Sequence, residues 1–501
     1  MPPKPLLQHY ILLPSQGMQA YARHSIPSAA GEFLTNLSTH AMTRSGMPFR
    51  LPERRSVEVH VLDSVHEDGA KLVELSSGSM SDLRAQHPGV RLVPIVYYHT
   101  AVAPRPTVAS GPRMAASTAA VKTTLKVVSQ QDGSPIAGAF VVAFTNFAEG
   151  EGAQGKTNRK GEVRFSLGRT AKKLQRLYIY PEKGYWPLLK KNILLTSGKQ
   201  IGLNPIDLGY TDALRYFYGK SPDDTGAGIK VGVIDTGIAA HPDLIIDGGE
   251  NTVVGESAND FGDNGEGHGT HVAGIIAACG IPPAGIRGIA PAVLLRSYRV
   301  FGKGSDGASN YSIAKAIDRA VQDGCDLLNL SLGGGPSDEA TMDAISDARA
   351  RGSLVIAAAG NDGRQPVSFP ASDSLAQAVS ALGRKGTWPS GSTQAGNVAK
   401  PYGADKKNFI ADFSNIGPEL DLAAPGVGII STFPGGYAVM DGTSMACPAA
   451  TGIAAKLLAI RPDILGMPRN QERSDAMAQV LLQAAKSLGF GSIYEGQGLA
   501  K

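Results

Sequence analysis

Over residues 205–501, apolar strand-like runs alternate with helix-like stretches, and this rhythm restricts the fold more than any other feature of the chain. The runs 231–237 (VGVIDTG), 293–301 (VLLRSYRVF), 325–334 (CDLLNLSLGG) and 354–361 (LVIAAAGN) read as strands. The stretches 271–278, 312–324 and 338–352 between them read as helices. Such an order predicts an α/β unit with a doubly wound, mostly parallel sheet covered by helices on both faces. In sheets of this kind, functional groups gather outside the carboxyl ends of the strands. Asp235 and Asn361 each close an apolar strand. His268 opens an apolar helix, and Ser444 stands on a turn before another.

An aspartate, a histidine, an amide and a serine at element ends supply what acyl transfer from an amide requires. A serine hydroxyl is a weak nucleophile at neutral pH and needs an adjacent base. Ser444 is the candidate nucleophile; its competing role is a helix N-cap. His268 is the candidate base, because imidazole titrates near working pH and can return the proton to the leaving amine. Its rival is His271, but flanking glycines leave His268 accessible, whereas His271 begins an apolar helix face and suits the core. The two are spaced i,i+3 without an intervening glutamate, unlike the His-Glu-x-x-His zinc motif. Asp235 would orient the imidazole through its other ring nitrogen. Asn361 would donate to the oxyanion beside the backbone N–H of Ser444. As structural alternatives, Asp235 suits a strand-end turn and Asn361 a left-handed turn before Asp-Gly.

Five motifs now stand in order: Asp-Thr-Gly, His-Gly-Thr-His-Val-Ala-Gly, Ser-Leu-Gly-Gly, Ala-Ala-Gly-Asn and Gly-Thr-Ser-Met-Ala-x-Pro. Together they resemble the subtilisin-like (subtilase) serine peptidases, which share the chain order Asp, His, Ser. The resemblance implies a triad of Asp235, His268 and Ser444, with Asn361 as oxyanion donor. It also implies that Ser331, Leu332 and Gly333 pair with an extended substrate backbone, a form of strand addition. Ala358, Ala359 and Gly360 would form the facing wall of the first specificity pocket. Cys447 to Ala450 replace the usual Ser-Pro-His-Val, and the thiol is an expected point of reagent sensitivity. The loop 279–288 lacks the asparagines that accompany a calcium site in relatives, and Asp243 alone supplies too few oxygens, so no metal or cofactor is assigned. About twenty extra residues around 384–408 are expected to form a surface loop near the substrate groove.

Upstream, the first hundred residues read as strand, strand, helix, strand, helix, strand, with strands at 10–14, 57–61, 70–75 and 90–98 and helices at 63–69 and 79–86. Pattern and position resemble the ferredoxin-like inhibitory propeptide of the same peptidases, which makes this N-terminal domain an expected intramolecular inhibitor. Residues 101–120 are rich in Pro, Ala, Ser and Thr and read as a linker open to proteolysis. Residues 121–204 carry short β-branched and aromatic runs between glycine turns and resemble a carboxypeptidase-regulatory-like β-sandwich. Its aromatics Tyr178, Tyr180, Tyr185 and Trp186 are expected in its core. Processing in the linker would keep this unit on the mature enzyme, whereas processing at 203–210 would remove it.

With 48 Lys plus Arg against 44 Asp plus Glu, the 501-residue chain has a net charge of +4 and no basic stripe, which gives no case for nucleic acid or membrane partners. Three cysteines do not make a disulfide framework. No signal-peptide pattern precedes residue 30, so the expected location is cytoplasmic, or exported by another route. The reading is a serine endopeptidase acting on protein or peptide substrates and made as a self-inhibited precursor. A peptide-cyclising acyl transferase and a catalytically silent binding scaffold are the alternatives.

Overall fold

The computed structural model describes residues 7–20, 29–43, 49–50, 58–109, 121–167, 173–194 and 196–501. Val57, the first residue of a predicted strand, and linker residues 110–120 lie outside that set.

The C-terminal part is built on an eight-stranded sheet. Its parallel strands run in the order Ile246–Asn251, Leu294–Arg299, Lys230–Asp235, Leu327–Leu330, Leu354–Ala358 and Ala376–Arg384, with Leu420–Pro425 also parallel to the last. Asn408–Ile410 adds an antiparallel edge. Side chains alternate across a strand, so each strand feeds two cores. Val231, Val233, Leu327 and Ile356 point to one core, which they share with helices His268–Ala277 and Thr443–Leu458. Ile234, Leu328, Leu330 and Val355 point to the other, shared with helices Asn310–Gln322 and Glu339–Ala350. The continuous apolar runs in the sequence follow directly from this double burial.

The N-terminal residues form a five-stranded antiparallel sheet in which Leu7–Leu13 lies between Lys71–Ser76 and Arg91–Pro94. Three details differ from the sequence expectation. Residues 63–69 are not a helix: the strand Glu58–Ser64 continues into a turn whose carbonyls converge on the buried ammonium of Lys71, at 2.9 Å from Glu67 and 3.0 Å from Gly69. A helix at Ala29–Thr43 was not foreseen, and it buries Phe33, Leu34 and Leu37. The strand expected at 90–98 is two strands, Arg91–Pro94 and Tyr97–Thr100. Asn310 separates them by donating to the Pro94 carbonyl and accepting from Val96 N–H. The second strand thereby leaves its own sheet for the C-terminal unit.

The N-terminal sheet seats one face on helices Asn310–Gln322 and Glu339–Ala350. Ile11, Leu13, Met18, Leu72 and Val93 join the second core. Each fully buried side chain of this size contributes about 1.5–3 kcal/mol. Lys315 pairs with Asp63 at 2.6 Å and Arg91 with Glu339 at 3.1 Å around the rim.

The described residues between 121 and 203 form a three-stranded and a four-stranded sheet that enclose one apolar cluster, including Leu125, Val163, Val141, Leu177 and Ile179. Trp186, expected in that core, is instead buried in the C-terminal unit, edge-on to Tyr210 at 5.3 Å. The loop 384–408 receives this middle unit: Leu189 N–H donates to the Gly391 carbonyl at 2.8 Å, and Ser392 Oγ to the Pro187 carbonyl at 3.0 Å.

Candidate active site

Asp235 ends its strand fully buried, and His268 opens its helix only 3% exposed. His268 Nδ1 lies 2.7 Å from Asp235 Oδ1. A carboxylate only accepts, so Nδ1 carries a proton and Nε2 is the ring nitrogen that does not face Asp235. Thr236 N–H also donates to Asp235 Oδ1 at 2.7 Å, fixing the carboxylate. His271 is fully buried and donates Nε2–H to the Ile429 and Ala438 carbonyls at 3.2 Å each. Burial pushes its pKa down to about 3, so it stays neutral.

Ser444 is the second residue of helix Thr443–Leu458. Pro448 sits one turn on and has no N–H for the Ser444 carbonyl. Ser331 Oγ donates there instead, at 3.0 Å. The Ser444 hydroxyl in turn donates to the Ser331 carbonyl at 3.0 Å. The structure therefore brings Asp235 and His268 into contact and leaves Ser444 Oγ turned to Ser331.

Asn361 caps this same helix. Its Oδ1 accepts Thr443 N–H at 2.9 Å and Thr443 Oγ1–H at 3.1 Å. Because a backbone N–H can only donate, the amide orientation is determined and Nδ2 is the remaining donor. Asn361 Nδ2, His268 Nε2 and Asp235 Oδ2 are buried polar atoms without a partner among the described residues. An unsatisfied buried polar group costs about 1–3 kcal/mol, so each of these atoms is left with hydrogen-bonding capacity that another group can use.

What approaches is the protein's own chain. The strand Tyr97–Thr100 inserts between two edge segments: Thr100 and His99 pair antiparallel with Leu332 and Gly333, while Tyr98 and Tyr97 pair with Ala308 and Ser309. Ala101 N–H donates to the Ser331 carbonyl at 3.0 Å, and Ser444 N–H donates to the Ala101 carbonyl at 3.1 Å. A Cβ on Gly442 would lie 2.6 Å from that carbonyl oxygen, so only glycine admits the approach. Tyr98 is 1% exposed, with its hydroxyl on the Asp338 carboxylate at 2.6 Å and the Pro336 carbonyl at 2.7 Å.

Of the expected pocket wall, Ala358 shares an apolar cluster with Ala101. The backbone of Ala359 is committed to Val379 and Ser368, and Gly360 N–H to Thr443 Oγ1 at 3.2 Å. Sequence reasoning missed the second edge, Ala308–Ser309, and the Tyr98 pocket. Neither carries a motif; only the fold brings them beside Leu332. Cys447 is also corrected: it is fully buried against Asn329 and Ile356, and burial pushes its thiol pKa well up, so it is not a reactive thiol. Asp243, the lone acidic candidate for a cation, already accepts from Ile286 N–H and Tyr437 O–H, both at 2.8 Å.

An Asp–His pair at a strand end, a serine at a helix start and a groove that binds an extended chain define a serine-type endopeptidase. The profile of the subtilase family, peptidase S8, matches residues 226–499, more than half of the chain, and the chain belongs to that family. Subtilisin BL of Lederbergia lenta is 40% identical over 278 residues, covering 55% of this chain and 89% of that protein. Subtilisin Savinase of the same organism gives the same identity and coverage. The M-protease of Shouchella clausii (strain KSM-K16) is 42% identical over 233 residues, 46% of this chain and 54% of that protein. No helix among the described residues is long and apolar enough to cross a membrane.

Proposed function

We propose that the chain is a self-inhibited precursor that cuts its own Ala101–Val102 bond with an Asp235–His268–Ser444 triad. Residues 1–101 are then a ferredoxin-like propeptide whose end remains in the groove as an inhibitor. The observation that carries this reading is the Ser444 N–H on the Ala101 carbonyl, with Tyr97–Thr100 held as a substrate-like strand on the nonprimed side.

In the reaction, Ser444 Oγ turns from the Ser331 carbonyl toward His268 Nε2, which takes its proton as the oxygen attacks the Ala101 carbonyl carbon. Negative charge grows on the Ala101 oxygen, where Ser444 N–H already donates and the unpartnered Asn361 Nδ2 is the second donor. Asp235 holds the imidazolium through Nδ1–H. The tetrahedral intermediate expels the Val102 amine, protonated by His268. Water, deprotonated by His268, then hydrolyses the acyl-enzyme. The same steps, with a protein or peptide in the groove, give the endopeptidase reaction; no metal or cofactor enters them.

The test is the intact mass of the purified chain beside Ser444→Ala. The natural chain is expected to yield a fragment ending at Ala101 and a partner beginning at Val102 that retains the middle, sandwich-like unit, while Ser444→Ala stays whole. A new terminus at 203–210, or identical cleavage of both proteins, would sink the proposal.

A further inference from the structure

The precursor reading accounts for the chain up to Ala101 but not for where it goes next. From Val102 it enters a cleft of about 950 Å³ whose walls come from two units. One wall is residues 391–397 and 439–441 of the peptidase unit; the other is Phe147, Arg176, Tyr178, Tyr180 and Leu189 of the middle unit.

That second wall follows from strand alternation. In the four-stranded sheet, Val141, Ala143, Leu177 and Ile179 turn inward to the core of the middle unit. Val142, Phe144, Tyr178 and Tyr180 turn outward into a separate cluster. An outward aromatic face is exposed apolar surface unless something lies on it. Here residues 102–109 do. Ala103 N–H donates to the Asp441 carbonyl at 2.9 Å, Val108 N–H to Gln154 Oε1 at 3.0 Å and Ala109 N–H to the Gly150 carbonyl at 2.9 Å. Between these ties the Arg105 guanidinium stands 4.9 Å from the centre of the Tyr180 ring, within cation–π range. Tyr180 is itself stacked on Tyr178, 6.2 Å apart and within 3° of parallel. Asp441 lines the same cleft.

We propose that this cleft is the substrate site for the residues that follow the scissile bond, and that it selects a cationic side chain at the fourth of them, held over Tyr180. The proposal rests on Ala101–Val102 being the bond cut, which makes Arg105 the fourth residue beyond it. The occupant is the extended C-terminal half of a polypeptide substrate, of which residues 102–109 are the tethered example. The middle unit is thereby a specificity element of the peptidase rather than a spacer.

The test uses the self-processed chain after an added protease has degraded the bound residues 1–101, their loss checked by mass, and three internally quenched peptides that share Tyr-His-Thr-Ala before the bond. After it, one continues Val-Ala-Pro-Arg-Pro, one Val-Ala-Pro-Ala-Pro, and one stops at Val-Ala. The Arg peptide is expected to exceed the Ala peptide in kcat/KM by about three- to tenfold. Because the tethered Arg105 competes for the ring, the ratio is also measured in Arg105→Ala, where it is expected to be at least as large. Tyr180→Phe keeps the ring and is expected to keep the ratio, whereas Tyr180→Ala brings it to within twofold of one. A ratio within twofold of one in both the natural chain and Arg105→Ala, or one unchanged by Tyr180→Ala, overturns the proposal. The aromatic face would then be only a seat for the chain's own segment. If even the short peptide is uncut, the peptidase reading fails and this proposal falls with it; cutting of the short peptide separates the two failures.

Discussion

Pro448 shows how much one residue sets at this site. By withholding an N–H it frees the Ser444 carbonyl for Ser331 Oγ, which ties the serine's helix to the edge segment that pairs with the inserted strand. Asn361 works similarly, since capping Thr443 with Oδ1 leaves its side-chain Nδ2 free to donate. Asn361→Ala is expected to lower kcat on a peptide substrate by about two to three orders of magnitude, a size carried over from a subtilisin, with KM little changed. Steady-state kinetics on the processed chain freed of residues 1–101 check this, and a change confined to KM would contradict it. His271 makes a different prediction. Its folded pKa of about 3 lies below the unfolded value near 6.5, so below pH 6.5 the unfolded chain binds the extra proton. The stability tied to neutral His271 is complete above about pH 6.5 and is lost as pH falls toward 3. In a Ser444→Ala background, the thermal midpoint should therefore fall more steeply between pH 7 and 4 with His271 than with His271→Asn, which does not titrate there. Parallel curves would refute the assignment.

At the scale of elements, the inserted strand is the part that most departs from its sequence reading. Residues 90–98 read as one apolar strand, and nothing local says that Asn310 splits it. Tyr98 then anchors the second piece with its ring buried and its hydroxyl on Asp338 and Pro336. Tyr98→Phe removes those bonds and strands part of a buried polar site, at a cost of about 1–3 kcal/mol. Tyr98→Ala also opens a cavity, for about 3–5 kcal/mol. In the uncleaved Ser444→Ala protein both should speed cutting near residue 101 by an added protease, Ala more than Phe. Equal protection would mean that Tyr98 does not hold the strand. The stretch 63–69 teaches the same lesson: its polar residues suit a short helix, but Lys71 gathers its carbonyls into a turn.

Over the whole molecule, three units share surfaces rather than hanging on spacers. The N-terminal sheet buries apolar side chains in the second core, and its ion pairs stand at the rim, where salt screens them and each adds little. If the chain is cut at the proposed Ala101–Val102 bond, residues 1–101 and the remainder are therefore expected to co-elute on gel filtration even in 0.5 M salt. Separation under that condition would show that the charges, not the apolar face, hold the unit. The middle unit is pinned by Trp186 within the peptidase core and by the loop 384–408.

The sequence alone determined the peptidase sheet and named the candidate reactive groups. Both depend on short-range facts: apolar runs buried on two faces, and motifs in which glycine, proline or a strand end fixes the backbone around one side chain. Asp235, His268, Asn361 and Ser444 could be named before any coordinate was known because each lies inside such a motif. Only the tertiary structure decided what enters the groove. The pairing of Leu332 with Thr100, the burial of Tyr98 beside Asp338 and the placement of Arg105 over Tyr180 join residues that are remote in sequence or separated by a fold boundary. Hydrophobic burial is non-directional, so a linker's composition does not say which surface it will cover.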